Sequence, residues 1–368
     1  MLLRIAFIYL TLISISHGAA PFVQCAVKLS PNRTFWTSET EPLVRLTVGS
    51  CFHQRNQSLF NVWEQIATQT PQAHIMLGDN IYADGDVAPK PTTEMSHQEF
   101  VTHLQKQYGL LVSHPIYKKF REKFPFFFVP DDHDLGAPDA GNDFIHLKTS
   151  IEIARQQLQS SIPFVSPEHG NYTALLWGPK GKQVKIIMLD TRMEKDPIQK
   201  VDASLLGKTQ WEWLETELAK NEADVHFIFS SIQVLPVDDP HGAKRWVRYE
   251  KERKKLLDLI LKYQPKRMVL ISGDRHFSEY MEMPLNTPGY QKVLPELTTS
   301  GMTHFYKDFD PEKEQNRFRQ AVLVARNFAQ LDINWSKKEP EVTVTAKELM
   351  DAQAQNMGRV ISRRVRFK

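Results

Sequence analysis

The sequence predicts an α/β protein in which a two-layer mixed β-sandwich is flanked by helices. Three observations predict it. Five apolar, largely β-branched runs each end in a short polar block; amphipathic stretches of helical spacing lie between them; and near the C-terminus strand-like segments follow one another without helices. Alternation of the two element types indicates α/β, and the uninterrupted late strands indicate an antiparallel or mixed portion.

The runs are Val44-Arg45-Leu46-Thr47-Val48, His74-Ile75-Met76-Leu77, Phe126-Phe127-Phe128-Val129, Val184-Lys185-Ile186-Ile187-Met188-Leu189 and Met268-Val269-Leu270-Ile271. Each has the length of a buried strand and is bounded by turn residues. Helices are expected over 57–68, with Trp63 and Ile66, and over 96–108, 143–158, 208–218 and 250–261. The last two carry apolar residues at helical spacing: Trp211, Leu214 and Leu218, then Leu256, Leu257, Ile260 and Leu261. Late strands are expected over 321–325, 329–333 and 342–345. The basic tail 359–368 reads as the return strand of a closing hairpin, with its arginines on the wet face.

At 368 residues the chain is long enough for a large core, and no repeat or long linker divides it. Residues 1–18 carry Arg4, a short apolar run and then Ser16 and Gly18, the pattern of a cleaved secretory signal. The run is too short to span a bilayer comfortably, and no other segment is long and apolar enough to do so. Residues 19–42 form a lead-in and 43–368 one catalytic domain. A secreted or periplasmic protein is expected, or one in the secretory lumen of a eukaryote, where sequons at Asn32, Asn56, Asn171 and Asn334 would matter. A net charge of +3 gives no reason to expect nucleic acid or membrane as a partner, and a monomer is expected. Of the two cysteines, Cys25 and Cys51, an exported chain could pair both, but Cys51 closes a polar block and has a competing use as a thiolate ligand.

The polar blocks are Gly49-Ser50-Cys51, Gly78-Asp79-Asn80-Ile81-Tyr82, Asp131-Asp132-His133-Asp134, Asp190-Thr191-Arg192 and Gly273-Asp274-Arg275-His276. Side chains released from several strand ends can converge at one sheet edge. Gly78 allows a sharp turn that aims Asp79 outward, and one carboxylate can bridge two cations roughly 3.5 to 4 Å apart. Cys51 and Tyr82 favour a trivalent or thiophilic ion such as iron over magnesium. Three carboxylates around one imidazole in Asp131-Asp132-His133-Asp134 call for a cation. Asp132 is the ligand candidate there and His133 the general acid for a leaving alkoxide, while Asp131 and Asp134 are open to ligation or capping. Arg192 is placed either to clamp a phosphoryl group or to pair with Asp190 or Glu194. Asp274 and His276 alternate about Arg275, so both can face one metal.

This ordered set resembles the PhoD-like alkaline phosphatases, a branch of the calcineurin-like metallophosphoesterases. The likeness extends over Leu206-Gly207-Lys208-Thr209-Gln210-Trp211, Ser230-Ser231-Ile232-Gln233, Thr298-Thr299-Ser300-Gly301-Met302-Thr303-His304 and Asn327-Phe328-Ala329-Gln330-Leu331-Asp332. It implies a sandwich with metals at the sheet edge: Fe3+ held by Cys51, Asp79 and Tyr82, next to Ca2+, with other divalent metals possible. Asp132 would stand where the superfamily has a metal-bound Asn before the catalytic histidine, here His133. Asp274 and His276 would supply the last motif, and Gln233, with Ser231 as alternative, a further ligand. Asn80, Asp139 and Arg192 are the expected substrate contacts.

Two departures stand out. The stretch before Leu43 is too short for the separate β-domain that begins PhoD, and Pro138 replaces an Asn before Asp139-Ala140-Gly141, leaving Asp139 or Asn142 to make its contact. The implied activity is an exported metal-dependent phosphohydrolase acting on phosphodiesters, phosphomonoesters or both. A metal-bound hydroxide would attack in line, Arg192 would steady the developing charge and His133 would protonate the leaving oxygen. The alternatives are a PhoD-related phospholipase and a degenerate relative that binds metal or phosphate without turnover. The first needs an exposed apolar surface, whereas 124–128 reads as core; the second needs neither the acid nor the arginine.

Overall fold

The computed structural model describes residues 39–238, 245–351 and 358–367. The signal-like segment and Cys25 lie outside the described residues. In chain order the elements are β1 (Arg45–Gly49), α1 (Val62–Ala67), β2 (Ala73–Leu77), α2 (His97–Val112), α3 (Pro115–Lys123), β3 (Phe126–Val129), α4 (Asp132–Leu135) and α5 (Leu147–Leu158). Then come β4 (Thr173–Trp177), β5 (Val184–Met188), α6 (Gly207–Ala219), β6 (Val225–Ser230), α7 (Glu250–Tyr263), β7 (Met268–Ser272), β8 (Ser278–Pro284), β9 (Val293–Thr298), β10 (Arg319–Leu323), β11 (Asn327–Asn334), β12 (Glu341–Glu348) and β13 (Val360–Arg364).

They form two mixed sheets, ordered β13-β12-β11-β1-β2-β3 and β10-β8-β9-β7-β6-β5-β4. Strands β1, β2 and β3 run parallel, as do β5, β6, β7 and β9. The flanking strands are antiparallel, including the closing β12-β13 hairpin, whose Arg363 and Arg364 are exposed as the basic tail predicts.

Period-two alternation explains the layers. In β3, Phe127 and Val129 join the core between the sheets, whereas Phe126 and Phe128 pack with Trp63, Phe100, Leu104 and Ile151 of the helices. The second sheet mirrors this: Ile186, Phe227 and Ile271 face the first sheet, while Ile187, Ile228 and Leu270 pack on Trp211, Leu214 and Leu256 of α6 and α7. Strands β3, β5, β6 and β7 thus place apolar side chains on both faces. Burying one such phenylalanine is worth roughly 1.5–3 kcal/mol. The aromatic stretch 124–128 is core, as expected, and offers no membrane-facing patch.

Helix α2 opens with a capping box, since the Glu99 N–H donates to Ser96 Oγ and the Ser96 N–H donates to Glu99 Oε2 at 2.8 Å. That arrangement satisfies two donors otherwise orphaned at a helix start. Helix α3 is absent from the sequence-based expectations, because five charged residues in nine hide its buried stripe of Tyr117 and Phe120. Strands β8 and β9 are hidden in the same way by Glu279, Glu282, Pro295 and Glu296. Among the described sequon asparagines Asn171 is buried and Asn56 and Asn334 are exposed.

Candidate active site

Parallel strands release their polar blocks at one edge, and the backbone there is unusual. Cys51 after β1, Asp79 after β2, and Asp274 and His276 after β7 all have positive φ, at 58°, 47°, 70° and 58°. Such conformations cost a non-glycine residue of order 1–3 kcal/mol each and persist where the surroundings impose them. Gly78 (φ 81°) admits no side chain, because a Cβ there would collide with the Asp131 Cβ. Gly273 is hemmed in likewise, by Leu77 O and Ser50 Oγ at 2.9 Å. The ends of β1, β2, β3 and β7 thus meet at a point where only backbone fits.

The side chains converge accordingly. Asp79 Oδ2 lies 3.2 Å from Cys51 Sγ and 3.2 Å from Tyr82 Oη. Tyr82 Oη in turn lies 3.1 Å from Nε2 of both His276 and His304, which are 3.3 Å apart. Three groups place their donor atoms within 4.8 Å of one another: Cys51, Asp79 and His276; Asp79, Asp132 and His133; and Asp79, Asp131, Asp132 and Asp274. Asp79 belongs to all three.

Burial pushes Asp79 up to about 7, with Asp132, Asp134 and Asp274 adding to the rise. Burial also raises the Cys51 thiol and the Tyr82 phenol, and Asp79 adds to both. For His133 burial opposes the charge, yet Asp79, Asp132 and Asp84 outweigh it and lift the pKa to about 10. Acidic groups crowded where burial disfavours their charged forms are groups that a bound cation would stabilise as anions. Asp79 Oδ1 and Asp131 Oδ2 are buried without a hydrogen-bond partner, a state that costs free energy unless a cation supplies the missing contact. The oxygen-rich group suits hard divalent ions, and the thiol, phenol and imidazole set suits a softer or trivalent one.

A sequence profile of the PhoD-like phosphatases matches residues 46–350. The chain belongs to the PhoD-like phosphatase family. It is therefore a phosphoric ester hydrolase with a metal site. Among solved structures, that of PhoD superposes with a TM-score of 0.68 at 16% identity, covering 89% of this chain and 72% of the other, so the two share a fold. The TT1561 protein of Thermus thermophilus aligns at a TM-score of 0.35 and 9% identity, over 70% of this chain and 88% of its own. No curated protein sequence matches.

Not every residue expected at the site of this PhoD-like chain reaches it. Cys51, Asp79, Tyr82, Asp132, His133, Asp274 and His276 come together. Gln233 does not: its Nε2 donates to Glu279 at 2.9 Å and Thr298 at 2.8 Å, while Ser231 donates to Asp131 Oδ1 at 2.9 Å. The alternative Ser231 is the one on the cluster side, because Gly273 packs against its carbonyl. Asn80 is held by Asp134. It is buried, and its backbone N–H and Nδ2 both donate to Asp134, at 2.9 and 3.1 Å, while its Oδ1 has no hydrogen-bond partner.

Asp134 itself is structural, since it also accepts from the Asp131 N–H at 2.9 Å and from Tyr108 at 3.2 Å. Arg192 has no exposed surface, and its guanidinium pairs with Asp131 and with Asp132 at 3.5 Å, not with Asp190 or Glu194. Asp190 instead accepts from the Arg192 backbone N–H at 2.8 Å. Asp139 lies beside the site, its backbone N–H donating to Asp132 Oδ2 at 2.7 Å. Sequence reasoning missed Asp84, whose Oδ1 is 2.7 Å from His133 Nδ1, and assigned no role to His304. Asp84 sits two residues past Tyr82 in the same loop, and nothing in its spacing separates it from an ordinary solvent-facing acid.

Proposed function

We propose that the chain is an exported phosphohydrolase that cleaves phosphodiesters and phosphomonoesters with a multinuclear metal site. The observation that supports this best is Asp79, one carboxylate shared by three groups of donors. Cys51, Asp79, Tyr82 and His276 would hold Fe3+, and Asp79, Asp131, Asp132 and Asp274 would hold Ca2+ or another divalent ion. Bound there, the cations would supply Lewis acidity and a water of lowered pKa.

His133 is assigned as general acid. Its Nδ1 is taken by Asp84 at 2.7 Å, which leaves Nε2 to deliver a proton to the leaving oxygen. Arg192 acts through the carboxylates it holds: buried at 0% exposure, it keeps Asp131 and Asp132 apart from each other's charge and oriented. Asp139 remains the proposed substitute for the metal or phosphate contact of the asparagine that Pro138 replaces. Export rests on the composition of residues 1–18; among the described residues no helix is long and apolar enough to cross a membrane.

The test is hydrolysis of bis(p-nitrophenyl) phosphate and p-nitrophenyl phosphate by purified protein, before and after chelation, with metal content measured in parallel. Chelation should abolish cleavage, and Fe3+ with Ca2+ should restore it. Turnover that survives complete metal removal, or a metal-loaded protein that cleaves neither ester, refutes the proposal.

A further inference from the structure

A cleft of about 590 Å3 opens beside Asp274 and His276, and its far wall is the segment Phe305, Tyr306, Lys307 and Asp308. We propose that this cleft is the subsite for the organic ester group of the substrate and that it selects a flat, uncharged aromatic group. The inference rests on the phosphohydrolase reading above and adds a substrate class to it.

Position is the first argument. The cleft shares Asp274 and His276 with the donor cluster, so it opens directly beside the atoms that would hold a phosphoryl group. The wall is also tied to the site, because the Tyr306 N–H donates to the His276 carbonyl at 2.9 Å. Tyr306 is 39% exposed, one of few large apolar side chains so placed among the described residues. Its ring is braced edge-on by Phe309 at 6.2 Å, and Phe309 packs on Phe277 at 4.2 Å. A ring held this way offers a stacking face at little entropic cost.

Charge supplies the second argument. Lys307 and Asp308 are adjacent and opposite, and neither makes an ion pair among the described residues, so the rim is close to neutral. The neighbouring cation, Arg275, is engaged by Glu314 at 3.2 Å. Lys307 is offset by the adjacent Asp308, so the rim offers an anionic tail no net positive field, and the recognition that remains is aromatic.

The experiment is calorimetric titration of metal-loaded protein with benzylphosphonate and methylphosphonate, alongside a turnover assay of the same preparation. Each probe has a single organic group, so its orientation is unambiguous, and methylphosphonate is the internal reference in every protein. Wild type should bind benzylphosphonate about tenfold more tightly than methylphosphonate. The ratio should fall below about threefold in Tyr306→Ala and be kept in Tyr306→Phe, which preserves the ring. Equal affinities in wild type, or a preference that persists in Tyr306→Ala, overturn the subsite. Turnover together with equal affinities leaves the hydrolase reading standing, whereas metal-loaded protein without turnover removes that reading and the subsite with it.

Discussion

Asp84 grips the Nδ1 edge of His133 at 2.7 Å while the histidine ring lies on Tyr82, with ring centroids 4.3 Å apart. The imidazole is thereby fixed on one edge and one face, and its other nitrogen is left for proton transfer. With His133 as the proposed general acid, Asp84 would be a positioning residue that acts through it.

Asp84→Asn should accordingly lower kcat by about 10² while leaving metal content unchanged. The loss should be greater for an alkyl phosphodiester than for a p-nitrophenyl ester, because a good leaving group needs less protonation. Equal losses for both substrates, measured by steady-state kinetics, would sink this role.

In metal-free protein, Arg192→Met should be destabilising by about 3–5 kcal/mol, since it removes the buried cation that pairs with Asp131 and Asp132. Urea unfolding followed by circular dichroism measures this. A variant with wild-type stability and a raised KM would instead mark Arg192 as a direct phosphoryl clamp.

Gly78→Ala and Gly85→Ala form a matched pair. Both glycines have positive φ, but a Cβ at position 78 collides with Asp131, whereas nothing lies within 4 Å of position 85. The second change should cost about 1 kcal/mol, from backbone conformation alone. The first should cost several times more and should also lower metal affinity, as read by thermal melting and metal analysis.

His74 supplies a pH prediction. Burial, assisted by Arg121, lowers its pKa to about 3, and its ring is enclosed by Trp63, Phe120 and Phe126. Above pH 6.5 both states are neutral there, so the full stability is present. As pH falls below that value, the unfolded chain takes up a proton that the folded one refuses. This group then contributes a loss of about 1.4 kcal/mol per pH unit down toward pH 3. Between pH 6 and 4.5 the stability of His74→Gln should therefore fall less steeply than that of wild type, by about that slope. Parallel curves would show that His74 charges inside the fold.

Much of the site was legible before the fold was known, and the reason is local. Cys51, Asp79, Asp132, Asp274 and His276 each follow a buried strand directly, so an apolar run plus one turn already places them at a sheet edge. Gln233 and Asn80 show the limit of that reasoning. Each sits in a strand-end block of the right kind, but which way its side chain turns is decided by Glu279 and Thr298 in one case and by Asp134 in the other.

The sequence by itself determined the types of the elements that release the polar blocks, the burial of those strands and the chemistry gathered at their ends, because these follow from residue periodicity within ten or so positions; α3, β8 and β9, masked by their own charged residues, did not follow from it. Only the tertiary structure decided that β1, β2 and β3 lie side by side, with β7 in the facing sheet. That order brings residues more than 200 positions apart, such as Tyr82 and His304, to 3.1 Å. It also buries Arg192 against Asp131 and Asp132. Distances of this kind depend on sheet order and on the room left by neighbours such as Gly78, and no local pattern along the chain encodes them.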